Sequence, residues 1–159
     1  MDSQALLLSH VAISAIAILS GVMVLVGLLG ARRMPGVTLV FLITTAGTSA
    51  SGFLFQRDHL LPSQVVGAIA LLILVPTVLA LYTFRLRGAW RAIYVIGAVI
   101  SLYLNVFVLV AQAFLKVPSL HALAPTGGEP PFAIAQGVVL LLFVILGVLA
   151  VKRFRLGPA

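Results

Sequence analysis

Residues 3–31, SQALLLSHVAISAIAILSGVMVLVGLLGA, contain no Asp, Glu, Lys or Arg. A membrane-spanning helix needs about 20 apolar residues to cross a hydrocarbon core about 30 Å thick, so this stretch is long enough to span a bilayer. It is also longer than the apolar segment of a secretory signal peptide, and no basic residue precedes it. We therefore expect it to be retained as a first transmembrane helix.

Four further stretches without charged residues follow it, at 34–56, 60–84, 92–115 and 130–151. Backbone polar groups must be paired inside a bilayer, and none of these stretches alternates in polarity as the strand of a membrane barrel does. The sequence therefore predicts an all-α fold, with residues 1–159 forming one integral membrane bundle of five transmembrane helices. The predicted helices lie at roughly 5–31, 36–56, 63–84, 91–115 and 131–151. Pro76 interrupts the third helix, where it removes one backbone hydrogen bond.

The composition of the whole chain agrees with a membrane bundle. Of its 159 residues, 62% are hydrophobic and only 8% are charged, and the mean hydropathy is +1.26. Soluble domains carry about 25% charged residues, so this chain has too few charges to cover a surface that faces water. The absence of cysteine excludes disulfides, iron–sulfur clusters and zinc sites built from thiolates.

Basic residues are distributed unevenly between the two sides of the predicted bundle. Only Arg57 and Lys116 fall on one side. The other eight fall in the first loop, the third loop and the tail: Arg32, Arg33, Arg85, Arg87, Arg91, Lys152, Arg153 and Arg155. Because cytoplasmic loops are enriched in Lys and Arg, we predict a cytoplasmic C-terminus and an outside N-terminus. The net charge of +7 is thus explained by orientation, and we expect the lipid bilayer, not nucleic acid, as the partner.

Polar side chains recur along the predicted helices at helical spacing. Tyr94, Ser101, Asn105 and Gln112 share one face of the fourth helix. Polar groups at membrane depth usually face the bundle interior, so they predict a polar pocket that opens outward. The candidate ligand-binding residues are His10, Thr48, Asn105, Gln112 and Gln136. Four loop residues would lie above this pocket: Asp58, His59, His121 and Glu129.

Helix packing is the alternative interpretation of these polar residues, because such side chains often only join neighbouring helices. The second helix contains the small-residue run TTAGTSASG at 44–52. Small residues four apart allow two helix backbones to approach closely. The candidate packing residues are Ala46, Gly47, Ala50, Ser51 and Gly52.

A haem or metal site is a further alternative, with His10, His59 and His121 as candidate metal ligands. Only His10 lies inside a predicted helix, and no His-x-x-x-His or His-Glu-x-x-His spacing is present. No acidic residue lies inside any predicted helix. This argues against an intramembrane aspartyl protease and against proton-coupled transport, which usually requires a buried carboxylate.

Two stretches resemble parts of small bacterial inner-membrane proteins that have no assigned activity. They are TSASGFLF at 48–55 and LYLNVFVLVAQAFLKVPSLHALAPT at 102–126. The resemblance implies a multi-pass protein of the bacterial inner (plasma) membrane. It implies no role for any residue.

Three hypotheses for function remain open at this point. The first, which we favour, is a non-catalytic accessory subunit of a larger membrane complex or a self-associating scaffold, with a homo-oligomer or other membrane subunits as partners. The second is a small oligomeric binding or transport protein for a neutral or lipid-like ligand, such as a quinone, lipid or metabolite, at the outward-facing pocket. The third is a redox protein that binds haem or metal.

Overall fold

The computed structural model describes residues 3–55 and 62–155. Within these ranges the chain forms helices, turns and loops, and no strand. The helices are α1 (Ser3–Leu29), α2 (Pro35–Ser51), α3 (Pro62–Val78), α4 (Trp90–Lys116), α5 (Pro118–His121) and α6 (Pro130–Arg153). A 3₁₀ turn at Gly52–Leu54 extends α2, and a π-helical turn at Leu79–Thr83 extends α3.

Five of these helices, all but α5, are long and apolar enough to cross a membrane. This confirms the prediction of an all-helical chain with five segments of membrane-spanning length. Proline fixes where three of them begin, since Pro35, Pro62 and Pro130 each occupy a first helical position, where a missing N–H costs nothing. The second predicted helix ends earlier than its apolar stretch, because α2 gives way to a 3₁₀ turn after Ser51.

The five long helices contact one another in a ring in the order α1, α2, α3, α4, α6 and back to α1. In addition, α4 contacts α1 across the ring. Two ends of the bundle follow from this arrangement. The basic end is where α1 and α6 finish and α2 and α4 begin, and the opposite end contains His10, Ser51 and Glu129.

Close contact between α3 and α4 depends on a glycine. A methyl group added at Gly97 would lie only 1.9 Å from Oγ1 of Thr77, which is fully buried and donates a hydrogen bond to the Ile73 carbonyl at 2.7 Å. Gly21 has a similar role in α1, since a methyl group there would meet Leu102 at 2.6 Å and Phe41 at 2.7 Å. The bundle is therefore packed through small residues, as membrane helices commonly are.

The end of α1 is closed by a Schellman motif, which fixes the loop that follows. The Arg32 N–H donates to the Gly27 carbonyl at 2.8 Å, and the Ala31 N–H donates to the Leu28 carbonyl at 3.2 Å. Ala31 has a φ of 53°, in the left-handed region that glycine usually occupies. The motif places Arg32 and Arg33 directly over the end of α1.

We predict that Ala31→Gly stabilises the protein. A left-handed conformation costs a residue with a Cβ roughly 1–2 kcal/mol, part of which is offset by the greater freedom of glycine in the unfolded chain. The expected gain in the free energy of unfolding is about 0.5–1 kcal/mol. Ala12→Gly, at an exposed position inside α1, is the matched control and should lower the same quantity by about 0.5–1 kcal/mol. Denaturation in mixed micelles measures both, and two changes of the same sign would contradict the prediction.

The chain reverses between α3 and α4 through strained backbone. The π-helical turn closes with a hydrogen bond from the Phe84 N–H to the Leu79 carbonyl at 2.9 Å. Arg85 and Leu86 then adopt positive φ values of 48° and 60°. As a result, the Leu86 side chain turns back into the core, where it is 5% exposed.

Candidate functional site

Near the opposite end of the bundle, four polar side chains of α1 and α2 form two hydrogen-bonded pairs. Nδ1 of His10 on α1 lies 2.8 Å from Oγ of Ser51 on α2. One helical turn further along, Oγ of Ser14 is hydrogen-bonded to Oγ1 of Thr48. The ring of Phe55 packs edge-on against His10, with 5.3 Å between the ring centroids. These four hydrogen-bonding side chains, the His10 cluster, join α1 to α2.

Asn105 lies deeper in the bundle and makes a separate contact. Its Nδ2 donates to Oγ1 of Thr45 on α2 at 3.2 Å, and Thr45 is completely buried. Thr45 and Thr48 lie one turn apart on α2 and share one face of that helix. The structure thus brings Asn105 towards the His10 cluster and also engages its amide in a contact between helices.

We predict a small coupling energy between Asn105 and Thr45. Hydrogen bonds between membrane helices average about 0.6 kcal/mol in double-mutant cycles. A cycle built from Asn105→Leu and Thr45→Val should therefore give a coupling of about 0.6 kcal/mol in the free energy of unfolding. The matched cycle with Gln112→Leu and Thr45→Val should give none. Equal coupling in the two cycles would show that the Asn105 bond contributes nothing specific.

Gln136 and Gln112 lie apart from this polar group. Nε2 of Gln136 on α6 donates to the Phe107 carbonyl of α4 at 3.0 Å. Its Oε1 is buried and has no hydrogen-bond partner among the described residues, and the same holds for Oγ of Ser101. Gln112 is half-buried on α4. The five candidate ligand residues therefore do not form one site: His10 and Thr48 belong to the His10 cluster, Asn105 and Gln136 each make a separate contact, and Gln112 joins none of them.

The candidate packing residues of α2 mostly face α1. A methyl group added at Gly47 would lie 3.6 Å from Cγ2 of Ile13, and one added at Gly52 would lie 3.9 Å from Cε1 of His10. Ser51 bonds to His10, as described above. Ala46 packs against the hydrophobic core, whereas Ala50 is exposed.

The candidate metal ligands are His10, His59 and His121. His59 lies outside the described residues. Within residues 3–55 and 62–155 there is no group of three His, Asp or Glu side chains that could hold a metal ion. His121 is exposed at the end of α5.

Glu129 is the only acidic residue in the described ranges, and its carboxylate is held by its own loop. Oε1 accepts hydrogen bonds from the backbone N–H of Thr126 at 3.0 Å and from its hydroxyl at 2.9 Å. Oε2 accepts one from the Gly128 N–H at 3.1 Å. These bonds, that of the Thr126 N–H first, lower the pKa of Glu129 below its usual range.

We predict that this loop loses order when Glu129 is protonated. The pKa of Glu129 is lower in the folded protein than in the unfolded chain. The hydrogen bonds to its carboxylate therefore stabilise the loop fully above the unfolded pKa, and this stabilisation is lost as the pH falls through the folded pKa. A ¹³C NMR titration of the Glu129 carboxyl should give a pKa below that of a glutamate in an unstructured peptide. Thr126→Val should raise it only partly, because the backbone N–H remains. A wild-type pKa equal to the peptide value would contradict the prediction.

A cavity of about 240 Å³ lies at the basic end of the bundle, which sequence reasoning did not single out. Its walls are apolar: Val24, Leu28, Leu81, Leu86 and Phe154. The lining residues with polar side chains are Arg32, Arg33, Thr38, Tyr82 and Tyr94. The only sequence feature that pointed to this region was the adjacent pair Arg32 and Arg33, and the predicted membrane orientation already accounted for that pair.

The resemblance of residues 48–55 and 102–126 to small bacterial inner-membrane proteins stays a prediction. The function proposed below depends on the geometry of the described residues. No protein-family model, curated protein or solved structure matches this chain.

Proposed function

We propose that this chain is a non-catalytic integral membrane protein that serves as an accessory subunit of a larger membrane complex or as a self-associating scaffold. One observation carries the proposal. Most of the polar side chains that were candidates for binding a ligand are engaged in contacts between helices: His10 with Ser51, Thr48 with Ser14, and Asn105 with Thr45. These groups join α1, α2 and α4, and hydroxyl and amide side chains at membrane depth commonly form such hydrogen bonds between helices.

The proposal includes a membrane orientation. Loops rich in Arg and Lys remain in the cytoplasm, so the basic end faces the cytoplasm and the N-terminus lies outside. We take the membrane to be the bacterial plasma membrane, as the resemblance implies. A reporter enzyme fused after residue 159 should be active in the cytoplasm, whereas an outside signal would overturn the orientation.

The outer surface of the bundle supports association within the bilayer. Leucine, valine and isoleucine side chains are exposed along α6, for example Leu141 at 62% and Val144 at 53%. Such a surface is compatible with lipid chains and with further transmembrane helices. No polar group is required for either contact.

Native mass spectrometry tests the proposal directly. The protein should be released from its own membrane with a polymer that retains surrounding lipid. We expect either two or more copies of the chain in one complex or a second protein in fixed ratio. A preparation that contains only single 16.7 kDa chains would contradict the proposal. The same complex should form with His10→Ala and Asn105→Leu, because these side chains act within one bundle.

A second candidate function is binding of a neutral or lipid-like ligand at the opposite end of the bundle. It is favoured by the buried Oε1 of Gln136, which has no hydrogen-bond partner among the described residues. Co-purified quinone or lipid that is lost in Gln136→Leu and Gln112→Leu, but kept in Gly137→Ala, would support it. Equal ligand content in all three variants would reject it.

A further inference from the structure

We propose that the cavity at the basic end binds the headgroup of an anionic phospholipid, with the first part of an acyl chain against its apolar wall. This goes beyond the scaffold role and does not depend on it. It depends instead on the pairing of two uncompensated arginines with a small, mostly apolar cavity.

The charge on the cavity is unopposed within the described chain. Arg32 and Arg33 are both exposed at its edge, and neither guanidinium has an ion pair or hydrogen bond within the described ranges. Glu129 is the only described acid and lies at the opposite end of α6. The two cations therefore attract an anion, and guanidinium groups suit phosphate oxygens because their planar N–H groups can bond to two oxygens at once.

The hydroxyls inside the cavity retain hydrogen-bonding capacity. Oγ1 of Thr38 and the Tyr94 hydroxyl are 3.5 Å apart, at the limit of a hydrogen bond. Each side chain is only 4% exposed. A phosphate or glycerol oxygen between these hydroxyls and the arginines would accept a hydrogen bond from each hydroxyl.

The apolar wall explains why the ligand would be a lipid and not a free anion. Val24, Leu28 and Leu86 contribute aliphatic surface that a free phosphate leaves uncovered. A volume of about 240 Å³ is below the roughly 300–1,000 Å³ of pockets that enclose whole drug-sized ligands. It suits a headgroup with a few carbons, the rest of the chain extending along the outside of the bundle.

The backbone holds the cationic loop in position before any ligand arrives. The Schellman motif fixes Arg32 by its N–H. A methyl group at Gly27 would lie 2.9 Å from Sδ of Met34, so the loop folds closely back on α1. A preordered loop loses little conformational entropy on binding. With the proposed orientation, the cavity faces the cytoplasmic leaflet, whose anionic lipids attract such basic groups.

Thermal unfolding in a neutral detergent tests the inference. Short-chain phosphatidylglycerol should raise the Tm of the wild-type protein, since a ligand that binds only the folded state stabilises it. Short-chain phosphatidylcholine and inorganic phosphate should not. Arg32→Gln with Arg33→Gln should weaken the apparent affinity for phosphatidylglycerol by about 30-fold, if each arginine contributes the energy typical of a basic residue at an anionic surface.

The control removes two charges from the same end of the bundle without touching the cavity. Lys152→Gln with Arg153→Gln changes two exposed residues at the end of α6, and the affinity should stay within about twofold of wild type. Equal loss in the two double variants would overturn the inference in favour of diffuse attraction. Equal stabilisation by phosphatidylcholine would overturn it as non-specific, and equal stabilisation by inorganic phosphate would replace the lipid with a free anion.

Discussion

Gly97→Ala should destabilise the bundle by about 2–3 kcal/mol, because a new methyl group must be forced into a filled space. The Cβ would lie 1.9 Å from Oγ1 of Thr77 and 3.1 Å from its Cβ. Rotating Thr77 does not solve the problem, since rotation would break the hydrogen bond from its hydroxyl to the Ile73 carbonyl, and its Cβ would remain within 3.1 Å of the new methyl group. Relief therefore requires α3 and α4 to separate.

Two comparison variants make this prediction specific. Gly137→Ala on α6 adds a methyl group where nothing lies within 4 Å, so it should raise the free energy of unfolding by about 0.5–1 kcal/mol, as alanine usually does in place of glycine inside a helix. Adding Thr77→Ala removes the clashing hydroxyl, so Gly97→Ala should cost much less in that background than in the wild type. Denaturation in mixed micelles gives the free energies of unfolding of the wild type, the three single variants and the double variant. If Gly97→Ala in the otherwise wild-type protein were no more destabilising than Gly137→Ala, the result would contradict the close contact between α3 and α4.

The close contact between Gly97 and Thr77 also affects the cavity at the basic end of the bundle. Tyr94 lies one turn before Gly97 on α4, and the cavity wall includes both Tyr94 and Leu81, which follows α3. Separation of α3 from α4 would thus widen the cavity. We therefore expect Gly97→Ala to lower the affinity for phosphatidylglycerol as well, although the residue does not line the cavity.

The existence of the five helices could be read from the sequence for a simple reason. Charged residues occur between the apolar stretches and not within them, and each stretch exceeds the length needed to cross a bilayer. The prolines at 35, 62 and 130 mark helix starts because a first helical residue needs no N–H. Both signals are local, and neither depends on how the helices pack.

The contacts between helices could not be predicted in the same way. A helix that is apolar all round, such as α6, gives no periodic signal for the face that it buries. The spacing of four residues did place Ser101 and Asn105 on one face of α4. They could not show that Asn105 bonds to Thr45, because that pairing depends on the order of the helices.

The cavity and the π-helical turn were missed for related reasons. Pro76 marks an irregular region of the third helix, but nothing in the sequence specifies that α3 changes to a π-helical turn at Leu79. The positive φ values of Arg85 and Leu86 are equally unexpected, since glycine is the residue that usually adopts them. These local features turn Leu86 into the cavity wall.

Replacing Arg91 should have the second large effect, because this residue does more than orient the protein. Its Nη1 donates to the Val151 carbonyl at 2.9 Å and also to the Phe154 carbonyl, at the end of α6. Carbonyl groups at a helix C-terminus lack partners within the helix, and a cation there also interacts favourably with the helix dipole. Hydrogen bonds that involve a charged group contribute about 1.5–3 kcal/mol. Since Arg91 is half-buried, we expect Arg91→Gln to lower the free energy of unfolding by about 2 kcal/mol.

A local measurement separates this role from a general loss of charge. Phe154 is 1% exposed and packs near Tyr94, with 6.1 Å between the ring centroids. Without Arg91, the chain around Phe154 should detach, and trypsin should cut after Lys152 and Arg153 faster than in the wild type. Arg87→Gln removes an exposed charge from the loop before α4 and should leave the cutting rate unchanged. Equal acceleration in the two variants would mean that charge alone, and not the bonds from Arg91 to the end of α6, holds the tail against the bundle.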